Sequence, residues 1–388
     1  MNRIFYFLVY LVFFTTPLET IAVFENFSIV KIVTVFLLGA SLLIKRNVFS
    51  FREPFLIIFL FYTLLTIMSF IWSIDQVNSL TSSLKTILPS FIVTTVIYNA
   101  IQEKGHLERI FMAYISGCLV VSAIALYLFA TGFRFIEGEE SRVTVMGQDQ
   151  NELSFLLSFG IVSAVYLINY SSVKGYLKTL LWVAALVFVF VILTTGSRMG
   201  LILVLLIAST YVFTNLNSKK VILILPLILM LGIISFSFLP LSITERLSQI
   251  PEQIQSHNFT GRVEIWKFGL MAFRDHNAWI EGVGFHTFQS LLESKYNWSA
   301  SSHNTYLCTF IELGAIGSIL FLSMIGYLLN KVMYLARNYS VFYSMLILPL
   351  LAAMFVLGTN NRRWLFLIGA LIIRIWQIEN GKMNTVTI

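Results

Sequence analysis

The sequence predicts an all-α polytopic membrane protein with about twelve spanning helices. Three observations predict it. Of the 388 residues, 57% are hydrophobic and 12% are charged, where a soluble domain carries about 25% charged residues. Mean hydropathy is +0.83. The apolar residues also fall in runs of about 15 to 22, the length that crosses a hydrocarbon core. The formal charge of +7 therefore bears first on topology and on contact with anionic membrane lipid. No Lys/Arg-rich run with interleaved aromatics lies outside the apolar segments, which argues against nucleic acid as a partner. The 35 phenylalanines suit lipid-facing positions.

The apolar runs place spans at 4–18, 27–44, 55–73, 80–101, 110–131, 152–169, 179–195, 199–214, 221–240, 304–329, 341–358 and 364–377. The first, within "MNRIFYFLVYLVFFTTPL", reads as an uncleaved helix, because no small-x-small cleavage site follows it. The even-numbered connections carry Lys45, Arg46, Arg52, Lys104, Arg109, Lys174, Lys178, Lys219, Lys220, Lys331 and Arg337. Odd-numbered connections hold Asp75, Glu137, Glu139, Glu140 and Asp149. The positive-inside rule then puts both termini in the cytoplasm, with 131–151 and the long segment 241–303 facing outward. Residues 1–388 read as a single integral membrane domain with 241–303 as its one large outward loop. Within that loop "SITERLSQIPEQIQ" and "GRVEIWKFGLMAFRDH" mix polar and apolar residues at helical spacing, and Val263, Trp266, Leu270 and Phe273 recur every three or four residues.

Chemistry-bearing residues gather on the outward side. Ser197–Arg198 forms a tight turn between spans seven and eight, flanked by Gly196 and Gly200. The arginine reads either as a snorkelling boundary residue or as a ligand for an anion that the small neighbours let approach. Arg262 opens a polar helix with Glu264 and Lys267 one turn on, so it is either a solvated surface cation or part of the same anion site. Arg142, Arg362 and Arg363 also face outward. Guanidinium groups stay charged and grip two oxygens at once, which suits a phosphate or diphosphate.

His303 stands at the start of span ten, beside Asn304. An ordinary histidine titrates near pH 6.5 and serves as a general base at neutral pH, although a histidine at a span boundary also fits a plain interfacial role. The remaining histidines and the two cysteines, Cys118 and Cys308, show no metal-ligand spacing, so no metal and no disulfide is expected. Glu312 lies nine residues after His303, about 2.5 turns on and on roughly the opposite face. It is expected to pair with another helix, with Gly314 and Gly317 allowing close approach.

Taken in order, these pieces resemble the bacterial O-antigen ligase and polymerase superfamily. "RVTVMGQDQNELSF" is similar to its R-x4-G-x3-N element, through Arg142, Gly147 and Asn151. "LTTGSRMGL" resembles its S-R turn. "GRVEIWKFGL…WIEGVGFHTF" resembles its G-R-x3-W and G-x-G elements, through Gly261, Arg262, Trp266, Gly282 and Gly284. "SHNTYLCTFIELGAIGSILF" resembles its H-N-x-Y/F-L…E-x-G-x-x-G signature.

The resemblance covers about residues 140–320 and implies a GT-C-like membrane glycosyltransferase of the inner membrane. Its partners would be an undecaprenyl-diphosphate-linked glycan on the periplasmic face and an acceptor glycan, either lipid A core or a second lipid-linked repeat unit. No nucleotide sugar, metal or other cofactor is implied. Carried over residue by residue, Arg198 and Arg262 would hold the diphosphate, and His303 would orient or deprotonate the acceptor hydroxyl. Arg142, Asn151, Ser197, Gly261, Gly284, Asn304 and Tyr306 would shape the substrate site.

Overall fold

The apolar runs become helices because a chain surrounded by lipid must satisfy its own backbone donors and acceptors. The computed structural model describes residues 2–19, 22–24, 27–44, 48–132, 145, 148–214, 262–333, 340–358 and 360–381. In chain order its helices are α1 (Asn2–Thr15), α2 (Ile29–Leu43), α3 (Pro54–Met68), α4 (Gln76–Ser82), α5 (Leu88–Ala100), α6 (Lys104–Thr131), α7 (Gln150–Tyr170), α8 (Gly175–Thr194) and α9 (Arg198–Thr214). They continue as α10 (Arg262–His276), α11 (Phe288–Tyr296), α12 (Thr305–Met333), α13 (Ser340–Met354) and α14 (Arg363–Glu379). A short antiparallel hairpin, Ala22–Phe24 with Phe27–Ser28, precedes α2. Among the described residues six helices are long and apolar enough to cross a membrane, and four more apolar helices are shorter. The span read at 221–240 and the stretch "SITERLSQIPEQIQ" lie outside the described residues.

The chain divides into two compact units. One comprises residues 1–43, 103–251 and 336–353, and α7 is its central helix. Almost every side chain of α7 is buried, against α6, α8 and α9. Its serines are tolerated there because Ser154, Ser158 and Ser163 each bond the carbonyl one turn back at 2.7 Å, which leaves no hydroxyl stranded in an apolar setting. At Gly160 a Cβ would sit 3.1 Å from both Cys118 and Phe188, so the missing side chain lets α6 and α8 close on α7. Tyr166 packs its ring between Phe111 and Phe342, at centroid distances of 4.8 and 4.9 Å.

The other unit comprises residues 44–102, 252–335 and 354–388. Here α3 packs on α12, and α14 packs on α5 and α12. Phe59 stacks on Phe366 at 3.9 Å, and Gly369 leaves room for Phe55, whose ring lies 2.7 Å from where a Cβ would be. One end of this unit holds a polar knot around the buried Glu53. Its carboxylate accepts from Tyr98 Oη and Gln377 Nε2, each at 3.0 Å, and from Tyr327 Oη. Arg374 lies 3.9 Å over the Tyr98 ring and donates to Gln377 Oε1 at 2.8 Å. Four segments are tied there by one side chain, whose buried oxygens are all given partners.

Candidate functional site

In the first unit the S-R turn is built by helix capping. Gly196, at φ 61°, turns the chain out of α8, a left-handed conformation that costs glycine little. Ser197 then caps α9, its Oγ accepting from Gly200 N at 2.9 Å. The same hydroxyl donates to Asn151 Oδ1 at 2.7 Å. Asn151 in turn sits in the first turn of α7, which Asp149 caps by accepting from Asn151 N and Glu152 N at 2.8 and 3.0 Å. Two helix N-termini therefore meet at one Asn–Ser bond, and the half-buried Arg198 is the first residue of α9. Both N-terminal dipole ends and the guanidinium favour an anion at this point. A side chain at Gly200 would meet Ser154 and Ile192 at 2.7 Å, so glycine is required for the turn to pack.

In the second unit α10 is tied to the lip of α12. Trp266 Nε1 donates to Ser302 O at 2.7 Å, and one turn earlier Arg262 Nη1 donates to Val356 O at 3.4 Å. On the α12 side Thr305 Oγ1 donates to Leu357 O at 2.6 Å. Arg262 and the start of α12 thus dock on consecutive carbonyls of the same strand of chain. Asn304 caps α12, its Oδ1 accepting from Leu307 N at 3.0 Å. His303, between the pinned Ser302 and the capping Asn304, is held at φ 45°. For a residue with a Cβ that left-handed conformation costs about 1–2 kcal/mol, and such strain collects at functional positions. The His303 side chain is half-buried, as is Tyr306, whose ring rests 4.8 Å from that of Phe355.

Glu312 braces this arrangement from inside. It is 2% exposed; its Oε2 accepts from Asn360 Nδ2 at 2.9 Å and its Oε1 from Phe288 N at 3.3 Å. Its partners are thus the first turn of α11, where a helix leaves backbone N–H groups open, and the turn before α14. Gly314 does not serve a helix–helix approach as expected. It breaks α12, at φ 63° and ψ −160°, and its open side faces Ile280 O so closely that a Cβ there would overlap the carbonyl. Gly282 and Gly284 are the matching half of this junction. Val283 N and Gly284 N donate to Ile311 O and Glu312 O at 3.0 and 2.9 Å, while the space of a Gly284 side chain is taken by Ser73. The far ends of α10 and α11 are joined by Lys295 and Asp275 at 2.7 Å, and the ammonium holds that exposed carboxyl below the ordinary carboxylate range.

Residues 182–322 match the family model of O-antigen ligase. The chain resembles the O-antigen ligase and polymerase superfamily. No curated protein matches it. The matched range holds the S-R turn, the G-R-x3-W and G-x-G elements and the H-N lip, whereas Arg142 and Asn151 precede it. The match supports a membrane enzyme of O-antigen ligase or polymerase type, a class that works on lipid-linked glycans.

The structure groups the candidate residues as follows. Asn151, Ser197 and Arg198 form one cluster, and Arg262, His303, Asn304 and Tyr306 form another. Gly284 stands in the backbone junction behind the second. Arg142 and Gly261 lie outside the described residues. Trp266, Thr305 and Asn360 were not among the sequence candidates, and each fixes the second cluster. Trp266 and Asn360 left a trace, the first in the G-R-x3-W spacing and the second in the paired asparagines of "TNNRRW". The Thr305 contact to Leu357 O had no local signature, because it joins residues 52 apart.

Proposed function

We propose that this protein is an inverting, metal-independent O-antigen ligase acting at the periplasmic face of the bacterial inner membrane. In this reading the twelve-span topology holds, with a GT-C-like helical architecture, both termini in the cytoplasm and 241–303 in the periplasm. The donor is a glycan on undecaprenyl diphosphate and the acceptor a sugar of lipid A core. Arg198 and Arg262 hold the diphosphate and stabilise the charge that develops on it as it departs. His303 takes the proton of the acceptor hydroxyl; that oxygen bonds to the anomeric carbon as the carbon–oxygen bond to the diphosphate breaks on the opposite face. Asn151 and Ser197 seat Arg198, and Asn304 and Tyr306 shape the lip. Arg142, Gly261 and Gly284 belong to the substrate site or its immediate frame.

The observation that carries this reading is the Trp266–Ser302 hydrogen bond. It joins the arginine-bearing helix to the histidine-bearing lip, so a cation for phosphate and a base for a hydroxyl are presented by one braced element. The test is a deletion strain complemented with the wild-type chain or with Arg198→Ala, Arg262→Ala or His303→Ala. A ligase deletion loses long polysaccharide on lipid A core while polymerised chains remain on undecaprenyl diphosphate. Accumulation of single repeat units would instead assign the chain to the polymerases, and full complementation by His303→Ala would remove the base assignment.

A further inference from the structure

The start of α12 is apolar enough to read as the entry of a membrane span. Its break at Gly314 divides it into a shorter part, 305–313, and a longer one, 315–333. At 1.5 Å per residue the longer part rises about 28 Å and the shorter about 13 Å. The longer part alone therefore matches a hydrocarbon core of about 30 Å. In the same unit the apolar span Pro54–Ile71 rises about 27 Å and ends beside Trp72.

Both spans stop at the same turn. Trp72 Nε1 donates to Glu281 O at 3.1 Å, and Ile74 N donates to Val283 O at 3.0 Å. On the other side Ala315 N donates to Trp279 O at 2.9 Å, and Ile316 N to Ile280 O at 3.2 Å. The turn 279–284 thus joins the last turn of one span to the first turn of the other. Tryptophans at that level, Trp72 and Trp279, fit the aromatic belt at a membrane–water boundary.

The turn also exposes apolar side chains that water would not favour. Ile280 is 63% exposed and Trp279 43%. They continue onto Ile316 and Ile319 of α12, 43% and 64% exposed, through the bond from Ile316 N to Ile280 O, and Ile71, next to Trp72, is exposed as well. Above the turn the character changes. Residues 305–313 pack with α10 and α11 around a core of their own, centred on Phe273, Phe288, Leu291 and Ile311, and the outer sides of α10 and α11 carry Glu264, Lys267, Asp275 and Lys295 interspersed with the exposed Val263, Leu270 and Met271.

We infer that the outer edge of the hydrocarbon lies at the 279–284 turn, with Ile280 as a wedge among the acyl chains, and that 262–313 forms a cap standing outside the bilayer. The occupant of the exposed patch is lipid acyl chain. Glu281, exposed in the same turn, limits the depth, since a carboxylate stays in the headgroup zone. Ser302–Asn304 then stands about 13 Å above the hydrocarbon edge, at the height of a headgroup and its first attached groups. The inference rests on the chain's crossing a membrane, not on the transfer chemistry, so the two fail separately.

The test is site-directed spin labelling of single cysteines at Ile280, Ile316, Ile319 and Ser301 in proteoliposomes, reading accessibility to oxygen against a water-soluble nickel chelate. All four positions are exposed or partly lipid-facing, so Ile280→Cys and Ser301→Cys leave the core intact; activity or a thermal melt confirms each fold. Expected is an oxygen-dominated signal at Ile280 and Ile316 that matches Ile319, and a nickel-dominated signal at Ser301. A nickel-dominated signal at both Ile280 and Ile316 would overturn the boundary, as would an oxygen-dominated signal at Ser301. Should Ile280→Cys not insert, Ile316→Cys decides alone.

Discussion

Trp266 holds Ser302 by its carbonyl, at 2.7 Å from the indole nitrogen, and so governs the residue that precedes His303. The indole N–H is the part of this side chain that phenylalanine cannot supply. Trp266→Phe keeps the ring's packing and strands the Ser302 carbonyl. It is expected to lower glycan transfer about tenfold, the equivalent of one lost hydrogen bond of about 1.4 kcal/mol, with membrane levels unchanged. Transfer at the wild-type rate by a normally inserted variant would show that the lip does not depend on this bond.

His303 at φ 45° separates stability from activity. His303→Gly and His303→Ala both remove the imidazole, and each is expected to abolish transfer. Glycine relaxes the left-handed backbone where alanine does not, so the glycine variant should be more stable than the alanine variant by about 1 kcal/mol. Thermal unfolding of the purified proteins in detergent reads the difference. Equal stabilities would mean that the lip rearranges once the ring is gone.

The two arginines are expected to need shape as well as charge. Arg198→Lys and Arg262→Lys keep a cation but lose the planar fork that grips two oxygens. Each should fall well below wild type, and each alanine variant about a hundredfold or more below it. Lysine variants with full activity would point to long-range attraction rather than direct binding of a diphosphate.

Glu312 offers a swap experiment. Glu312→Gln removes one of two acceptors used by Asn360 Nδ2 and Phe288 N and should cost about 1–3 kcal/mol. Adding Asn360→Asp reverses donor and acceptor across the pair, and part of that loss should return. A double variant less stable than either single one would count against the pairing as the source of the effect.

Gly314 and Gly326 lie in the same helix and make a matched pair. A Cβ at Gly314 would overlap Ile280 O at a backbone φ of 63°, whereas a Cβ at Gly326 meets nothing within 4 Å. Gly314→Ala should therefore destabilise by about 3 kcal/mol or more, and Gly326→Ala should be neutral or slightly stabilising. Comparable melting temperatures for the two would rule out the break as a fixed feature.

Much of this arrangement was legible in the sequence. Hydropathy located the apolar helices described, usually within a few residues, because lipid solvation imposes long apolar runs; α11, which has no such run, was not read. The periodicity of "RVEIWKFGLMAFRDH" signalled α10 but did not say which face packs. Val263 and Leu270 are exposed, and the packing side is Ile265, Phe268, Ala272 and Phe273. A pattern of apolar residues shows that a helix has faces; which one is covered depends on neighbours distant in sequence. The same limit applied at Gly314, since glycine in an apolar run is compatible with a close helix approach or a break. The choice between them was made by Gly282 and Gly284, some thirty residues earlier, whose amide and open side require a broken partner. The place of Asn304 at the lip was legible, but its role was not, because its side chain is spent on capping Leu307 N.

The knot around Glu53 has a bearing on how the chain is made. Gln377 reaches Glu53 across 324 residues of sequence, and Tyr327 across 274. At about 5–20 residues per second of synthesis, the carboxylate waits roughly 15–65 s for its last ligand. Tyr98 is made first, Tyr327 follows, and Gln377 comes last. The arrival of α14, which brings Gln377, is then the event that closes the knot.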